Sequence, residues 1–569
     1  MTAAAPPAPR GAERAPRIGW IFASLMLVML LAALDQTIVG TALPTIVGEL
    51  DGLEHMSWTI TAYTLALTVA MPVYGKLGDL VGRKNLFLFA IALFLLGSAL
   101  CGFAQGMLEF ILFRGLQGLG GAGLMIMSQT IIADVVPAKD RAKFMAPMGA
   151  VFGLSSVAGP LVGGWLTDSV DWRWVFWINL PLGAVALAVS ALTIHLPKRK
   201  NTARIDYAGM VVLALALTAI VLVASWGGTE HEWGSPVIVG LAVAAVALSA
   251  AFVLIELRAS EPVIPMRLFR NRTFVVTTLL GFVVGAGMMG ALAYLPTYLQ
   301  MAYGVDATES GLLLLPMVMT LLVTSIGSGA VVSRTGRYKA LPVVGTLVAG
   351  AGMFLMSTLE LSTPLWRLCV YVAVLGAGLG LFMQIIVLAV QNAVHPREIG
   401  TATSSNNLFR ELGVTVGVAV LGTIFTGRLT DRLGDLIPGG VAAGGHGTSS
   451  LTPEIVRSLP PDVADGVVNA YATSLTPIFL WLVPMFLAGT VISLFLPEVP
   501  LASTTPVGEG EAELLGEQSA AAATAPLTAP TAEQDGGQDG GQDGRATGRQ
   551  VPAQGSGPAR RGTAPKHRL

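Results

Sequence analysis

The fold class that the sequence predicts is an all-α integral membrane protein with two six-helix bundles and two extra central helices, 14 spans in all. Three observations predict it. Hydrophobic residues make up 53% of the 569-residue chain and charged residues only 12%, unlike an average soluble domain. The apolar residues are collected into long runs. A short, basic, glycine-rich turn also occurs at matching places in the two halves.

The apolar runs supply the individual spans. A helix that crosses the hydrocarbon core needs about 20 predominantly apolar residues. One or two such runs are compatible with the buried helices of a soluble protein, but 14 in succession are not. The predicted spans are residues 18–42, 57–77, 86–106, 108–133, 142–167, 174–195, 206–226, 236–257, 274–300, 309–332, 340–360, 366–391, 402–427 and 474–496.

The basic turn, GKLGDLVGRK, nearly returns 254 residues later, which indicates a duplicated bundle. Bundles of this kind usually move a substrate across the bilayer. We expect Asp79 to cap a helix or pair with Arg83 and so hold two helices together. A like role is open to Arg337, although Ser333 removes the acid in the second copy. A simpler role, keeping the loop on one side of the membrane, is compatible with this one. The matching positions, which supply the candidate gate, are Gly75, Asp79, Gly82 and Arg83 in the first copy and Gly329, Ser333, Gly336 and Arg337 in the second.

Lys and Arg collect in alternate loops, and this predicts the orientation. With both termini inside, the seven cytoplasmic segments up to Arg397 hold 21 Lys and Arg residues when Lys76 and Lys143 at the adjoining span ends are included. The outer loops hold five when Arg367 at a span end is included. Because cytoplasmic loops attract Lys and Arg, we expect both termini in the cytoplasm. The excess of Arg over Lys indicates a bacterial genome, hence a plasma (inner) membrane. The net charge of −1 provides no field that would recruit nucleic acid.

The spans divide the chain into five segments. The first apolar run is longer than that of a signal peptide, so we expect an uncleaved span. The end of the chain is rich in Ala, Gly, Pro and Gln and cannot form a core, so we expect it to be disordered. The outer loop is expected to contain a short helix near 452–457. The predicted divisions are a cytoplasmic N-terminus at 1–17, a six-helix bundle at 18–200, two linker spans at 201–265, a second six-helix bundle at 266–500 with an outer loop at 428–473, and a cytoplasmic tail at 501–569.

Asp35 and Arg114 lie within predicted spans, where charges are costly and indicate function. Asp35, in LDQTIVGTALP, lies about 25 Å along the first span at 1.5 Å per residue. An isolated carboxylate there favours its neutral form, so Asp35 is a candidate to bind a proton or a cationic ligand. Alternatively, Thr37, Thr41 or a neighbouring helix satisfies it. Arg114 opens the fourth span with Gln117 one turn on. It either faces the bundle interior, where it needs an acid or carbonyls, or reaches the headgroups.

The fifth predicted span contains GLSSVAGPLVGG. Glycines let helices approach closely, and proline permits a kink. The residues expected at this bend are Gly159, Pro160, Gly163 and Gly164.

Other membrane-embedded residues allow two interpretations. Arg410 and Glu411, near the cytoplasmic end of the thirteenth predicted span, form either a helix-surface pair or a gate. The 21 methionines suit a pocket for varied apolar ligands, although most of them fill gaps in a core. Cys101 and Cys369 lie within apolar spans, which argues against a disulfide.

Several motifs are missing from the sequence. No GxxxxGK[ST] phosphate loop occurs, so we expect no ATP-driven transport by this chain alone. The six histidines show no metal-binding spacing, and no nucleophile elbow or paired-cysteine site occurs. We therefore expect no enzymatic activity, metal or cofactor.

Five segments together resemble the major facilitator superfamily, specifically its fourteen-span drug:proton antiporter branch. GKLGDLVGRK is similar to the loop signature between spans two and three, and LDQTIVGTALP to the first-span motif, with Gly40 where asparagine is common. FRGLQGLGGAG and GPLVGG resemble the motifs of spans four and five. WRWVFWINLPLG, from Trp172 to Gly183, is similar to the stretch that enters span six. The resemblance covers about residues 15–500.

The resemblance implies the major facilitator fold and a role for each motif. Asp35 is implied in protonation or substrate coupling and Arg114 in proton transfer. Asp79 and Arg83 are implied in the cytoplasmic gate, and the Gly159–Pro160 segment in the antiport bend. Gly40 removes a polar neighbour of Asp35.

The expected function is export of amphipathic drugs or antibiotics, coupled to protons, by a monomer in the lipid bilayer. The partners are a small amphipathic substrate and protons, without ATP or nucleic acid. Alternatives are a dedicated exporter of one endogenous metabolite, lipid or siderophore, a proton-coupled importer, and a membrane receptor or scaffold that transports nothing.

Overall fold

Sixteen α-helices supply the regular structure in the described part of this chain, for which we use a computed structural model. The expected N-terminal segment up to residue 14, the tail from residue 502, and the middle of the predicted outer loop with most of its short helix fall outside the described residues. At positions 15–17, 289–293, 307 and 435–436 only the backbone is described. The structure describes residues 15–52, 55–196, 205–228, 230–436, 456 and 460–501.

The sixteen α-helices follow one another along the chain, with no β-strand among the described residues. Two short 3₁₀ helices, Met266–Arg270 and Pro396–Glu398, precede the tenth and fifteenth α-helices. The helices in chain order are α1 (Ala15–Glu49), α2 (Met56–Val81), α3 (Arg83–Phe103), α4 (Met107–Val135), α5 (Ala138–Ser169), α6 (Trp174–Trp177), α7 (Asn179–Thr193), α8 (Tyr207–Trp226), α9 (Pro236–Glu256), α10 (Arg272–Tyr303), α11 (Ala307–Leu312), α12 (Leu315–Thr335), α13 (Ala340–Ser357), α14 (Leu365–Asn392), α15 (Ile399–Leu436) and α16 (Pro461–Leu494).

Most of these helices are long and apolar enough to cross a membrane. Thirteen candidate spans occur among the described residues, and the shorter apolar helix Arg272–Met288 lies within α10, where the ninth span is predicted. The pairs α6–α7 and α11–α12 each supply one candidate span, Trp174–Thr193 and Thr308–Thr335. The predicted all-α membrane fold is confirmed, with 13 of the 14 spans meeting the length and hydropathy criteria.

The apolar core is divided between two bundles. One large cluster consists of residues from α1 to α7 and the other of residues from α10 to α16. Each cluster takes in a residue of the opposite bundle, Val387 in the first and Val157 in the second. The bundles meet mainly where α5 packs on α12 and α2 packs on α15.

Each copy of the basic turn has a glycine of positive φ directly after its helix, although ψ differs, 143° at Gly82 and 2° at Gly336. α2 ends at Gly82, whose φ is +106°, and α12 ends at Gly336, whose φ is +70°. Positive φ is readily adopted by glycine alone, because other residues carry a Cβ that clashes. The repeat seen in the sequence is therefore a structural repeat. We call the end of the two bundles at which these turns lie the basic end.

The linker helix α8 packs beside α2 and α15, one from each bundle, and the second linker helix, α9, packs on α8. At the basic end, Lys76 of α2 pairs with Glu261 at 2.8 Å. At the opposite end, Trp233 Nε1 donates to Thr423 Oγ1 of α15 at 3.2 Å. The linker pair is thus attached to both bundles.

The predicted outer loop is partly helical. α15 continues to Leu436 and α16 begins at Pro461, so both helices extend beyond their apolar runs into residues 428–473. Arg432 donates to Thr473, which joins these two extensions. Hydropathy ends a span where polar residues begin, but backbone hydrogen bonding can continue the helix into water.

Candidate functional site

A buried cluster of polar side chains surrounds Asp35 of α1, whose exposed fraction is 0%. Arg114 Nη1 donates to Asp35 Oδ2 at 2.7 Å, and Gln117 Nε2 donates to Asp35 Oδ1 at 2.7 Å. Arg114 Nη1 also donates to the amide oxygen of Gln117 at 2.6 Å. Arg114 and Gln117 are three residues apart on α4, so both point to the same side, toward α1. The sequence motifs of spans one and four thus form one site.

A third donor to Asp35 was missed by the sequence analysis. Asn179, the first residue of α7, donates to Asp35 Oδ1 at 3.1 Å and to Ser98 Oγ at 3.0 Å. The guanidinium of Arg114 lies 4.3 Å from the ring centroid of Tyr63. Asn179 belongs to the WINLPLG stretch, so the signal was present as a motif, but nothing in the spacing connects it to Asp35.

Two expectations about these charges are corrected. Asp35 is not isolated, because Arg114 is its counterion. The possibility that Arg114 reaches the headgroups is wrong, because α4 begins at Met107, two turns earlier, and Arg114 is only 2% exposed.

The second cluster lies at the basic end, around Asp79 and Arg83. Arg83 Nη2 lies 2.8 Å from Asp79 Oδ1, and Arg83 Nη1 lies 2.5 Å from Asp134 Oδ1 on α4. Arg83 Nη1 also donates to the carbonyl of Thr130 at 2.9 Å. The predicted Asp79–Arg83 pair is present, and Asp134 is a further acid that the sequence analysis did not single out.

Asp79 also connects the two bundles. Its Oδ1 accepts from the backbone N–H of Gly400 at 3.0 Å, and its Oδ2 accepts from the N–H and hydroxyl of Thr401 at 2.7 and 3.0 Å. These are first-turn groups of α15, which lack partners within their own helix and carry the positive end of its dipole. Asp79 therefore caps a helix of the opposite bundle and joins α2 to α15 at the basic end.

Gly75 allows α2 and α15 to pack closely against each other. A Cβ on Gly75 would overlap Ser404 Oγ and lie 2.7 Å from the carbonyl oxygen of Gly400. α2 and α15 can therefore approach closely only because residue 75 has no side chain.

Arg337 is not brought to this cluster. Its side chain is exposed, and among the described residues it has no ion-pair partner within 4.0 Å. The adjacent Tyr338 is buried and its hydroxyl donates to the carbonyl of Pro497 at 3.1 Å. The second turn thus contacts the segment after α16, and the gating role of Arg337 stays a prediction.

The glycines of α5 differ in what they face. A Cβ on Gly159 would overlap Thr37 Oγ1 of α1, and one on Gly163 would lie 2.7 Å from the carbonyl oxygen of Ile38. A Cβ on Gly164 would meet no atom within 4 Å. Pro160 lies inside α5 and lacks the N–H that a helix normally supplies. Gly159 and Gly163 therefore permit close packing on α1, and Gly164 does not take part.

Comparison with known proteins decides the family. The family model described as Major Facilitator Superfamily matches residues 25–418. The chain belongs to the major facilitator superfamily. It is a multi-pass membrane transporter and not an enzyme.

Related superfamily members carry transporter names. The chain is 43% identical over 508 residues to an uncharacterised MFS-type transporter of Mycobacterium tuberculosis (strain ATCC 25618 / H37Rv), covering 88% of this chain and 74% of the relative. It is 37% identical over 517 residues to the multidrug transporter protein MdtP of Bacillus subtilis (strain 168), covering 87% and 95%. It is 35% identical over 484 residues to multidrug resistance protein 3 of the same organism, covering 83% and 94%.

Solved superfamily structures share the fold. The human organic anion transporter MFSD10 (TETRAN) matches with a TM-score of 0.54 and 15% identity, covering 82% of this chain and 99% of that one. A double Trp mutant of XylE matches with a TM-score of 0.55 and 14% identity, covering 87% and 98%. At this identity the likeness concerns the fold alone.

The remaining predicted residues of the transporter are placed as follows. Arg410 and Glu411 lie about 17 Å along α15 at 1.5 Å per residue, so they are deeper than the expected helix end. Both are half-buried. Met125 and Met127 are buried in the core of the first bundle, while Met383 packs, half-buried, on the second. Met125 and Met127 therefore fill the core, and a pocket role for Met383 stays a prediction.

Proposed function

We propose that this transporter is a proton-coupled exporter of amphipathic drugs that works by alternating access of its two bundles. The observation that carries the proposal is the fully buried Asp35 with Arg114, Gln117 and Asn179 as donors. Intramembrane ionisable residues are expensive and are kept where charge or protons move. The multidrug names of the two Bacillus relatives support the substrate class.

Protonation of Asp35 would compete with Arg114 for the carboxylate. Breaking a buried ion pair costs about 3–5 kcal/mol. A proton that crosses the membrane supplies about 2.3 kcal/mol per 100 mV, and a difference of one pH unit adds about 1.4 kcal/mol. The free energy that one proton supplies is similar to the free energy that breaking the ion pair costs. One proton is therefore sufficient to disturb the Asp35–Arg114 pair, but the broken pair still has a cost. This balance suits a reversible switch.

A change in the protonation of Asp35 could be transmitted to the opposite bundle through hydrogen bonds between helices. Two residues on, the hydroxyl of Thr37 donates to the carbonyl of Ser155 at 2.8 Å, which attaches α1 to α5 beside the Gly159–Pro160 segment. Nearer the basic end of α5, the carbonyl of Ala146 accepts from Ser325 Oγ of α12 at 3.0 Å. A shift of α1 would therefore bend α5 and move its contact with the second bundle.

Opening of the basic end would require Asp79 to leave the first turn of α15. We propose that this end is cytoplasmic, as the Lys and Arg distribution indicates, with both termini on the same side in a bacterial inner membrane. The state described here is then closed to the cytoplasm. At the end of the cycle, a proton from outside would bind at Asp35, and Asp79 would then leave α15. Substrate would bind from the inside at that stage.

The test is substrate movement in proteoliposomes of the full chain under an imposed pH gradient. A panel of ethidium-like cations and several antibiotics would be supplied on the side of higher pH, with a gradient-free sample as the control. Accumulation of several unrelated compounds toward the acidic side supports the proposal. Movement of one compound alone would favour a dedicated exporter, and accumulation toward the alkaline side would indicate an importer. No movement of any compound, with the protein folded, would favour a receptor.

A further inference from the structure

A second set of side chains joins the two bundles deeper in the membrane than Asp79. Asn407 Nδ2 of α15 donates to Gln129 Oε1 of α4 at 2.9 Å. Gln391 Nε2 of α14 donates to Thr403 Oγ1 of α15 at 3.1 Å and to the backbone carbonyl of Gln129 at 3.4 Å. We call Gln129, Gln391 and Asn407 the amide layer. Each of the three is at most 2% exposed.

The amide layer lies on the membrane side of the Asp79 cap. Asn407 is seven residues beyond Gly400, which is about 10 Å along α15 at 1.5 Å per residue. Arg141 of α5 reaches it from the first bundle, with Nη1 3.4 Å from Gln391 Oε1 and Nη2 donating to the carbonyl of Ala133 at 2.8 Å. Four helices, two from each bundle, therefore meet at this layer.

Neutral amides suit a surface that excludes water while the basic end is closed and is hydrated when the bundles separate. While the basic end is closed, the amides of Gln129 and Asn407 bond to each other. When the bundles separate, water replaces these bonds, so each bond favours closure by a factor of only about 2 to 10. Apolar side chains would favour closure more strongly, because separation would expose them to water. Carboxylates or amines would make the closure depend on pH, and the three amides do not titrate.

We propose that the amide layer is a latch that sets the equilibrium between the closed and open basic end, independently of the protonation of Asp35. The inference rests on the proposed alternating access, since a latch has meaning only if the seam opens. Gln129, Gln391 and Asn407 act here as positioning residues. They hold α4 and α14 against α15 and take no part in binding the proton.

A reporter cysteine measures the opening directly. Ser404 is fully buried at the seam between α2 and α15, where it faces Gly75, and it is outside the amide layer. Ser404→Cys is nearly isosteric. In a background with Cys101→Ala and Cys369→Ala, the full chain in lipid nanodiscs would be treated with a water-soluble maleimide. The rate of labelling then reports the open fraction without a proton gradient or substrate.

Alanine and leucine substitutions in the amide layer should change the labelling rate of Ser404→Cys in opposite directions. Gln129→Ala and Asn407→Ala should each raise it about 2- to 10-fold, and the double variant should raise it no further, because the two side chains share one hydrogen bond. Gln129→Leu combined with Asn407→Leu should lower it below that of the parent. The leucine pair keeps the test decisive if an alanine variant fails to fold, which gel filtration would reveal.

Asn406→Ala is the matched control. Asn406 is an equally buried amide on the same helix, but its Nδ2 points toward Gly281 of α10 in its own bundle. Its removal should leave the labelling rate unchanged. Equal rates for the Asn406 and Asn407 variants, additive effects at Gln129 and Asn407, or faster labelling of the leucine pair would each overturn the latch. Because no gradient or substrate is used, such a result would leave the proton-coupled export to be judged by its own test.

Discussion

Arg114 Nη1 lies 2.7 Å from Asp35 Oδ2, and the two residues are 2% and 0% exposed. In the sequence these residues are two separate intramembrane charges on different spans. In the structure each is the counterion of the other. A buried charge that loses its counterion is strongly destabilising, whereas loss of both charges is often tolerated.

The Asp35–Arg114 pair should therefore show a strong coupling in stability. Arg114→Ala leaves the Asp35 carboxylate buried without its counterion and should cost about 3–5 kcal/mol. Adding Asp35→Asn removes the uncompensated charge and should recover a large part of that loss. Thermal unfolding of the two variants in one detergent measures this. A double variant less stable than Arg114→Ala would show that the two residues stabilise the fold separately.

The adjacent glycines of α5 offer a matched pair of substitutions. Gly163→Ala places a methyl group 2.7 Å from the carbonyl oxygen of Ile38 and should cost about 1–3 kcal/mol through overpacking, with transport reduced. Gly164→Ala meets no atom within 4 Å and should be neutral or slightly stabilising. Melting temperature and substrate flux of both variants check this. Equal losses at the two positions would mean that α5 does not pack on α1 as described.

Removal of the charge at Asp79 should weaken closure of the basic end. Asp79→Asn keeps the size of the side chain but weakens its pairing with Arg83 and its capping of Gly400 and Thr401. We expect transport to fall at least about 10-fold, as loss of one charge-assisted contact of 1.5–3 kcal/mol implies, and labelling of Ser404→Cys to rise.

The control for this charge is Asp140→Asn at the same end of the bundle. Asp140 is half-exposed, and its pair with Lys143 at 3.5 Å lies on the surface, so its contribution is small. Transport by the Asp140 variant should match that of the parent chain. If Asp79→Asn also transports normally, the cap is not part of the gate.

The fold was predictable from the sequence because span formation depends on local composition. Apolar runs located the helices, and the repeated glycine turn predicted the duplication that Gly82 and Gly336 display. Helix ends were less predictable. α15 continues past its apolar run to Leu436, because backbone hydrogen bonds do not stop where hydropathy falls.

The candidate sites were predictable only for residues three or four positions apart in the sequence. Arg114 with Gln117, and Asp79 with Arg83, are three or four residues apart and lie on a shared helix face or across one turn. Contacts such as Asp35 with Asn179, Asp79 with Thr401, and Gln129 with Asn407 join residues 144, 322 and 278 positions apart. Such pairings depend on how the bundles pack, which a single sequence does not encode in any spacing.

The most direct test of the account is substrate-dependent proton release from inside-out vesicles containing the full chain or its Asp35→Asn variant. Glu49→Gln is the control, since it removes a carboxylate from the same helix at a half-exposed pair with Arg173. Proton coupling through Asp35 predicts proton release by the parent chain and by Glu49→Gln, and none by the folded, membrane-inserted Asp35→Asn variant. Undiminished release by Asp35→Asn would contradict proton coupling through Asp35.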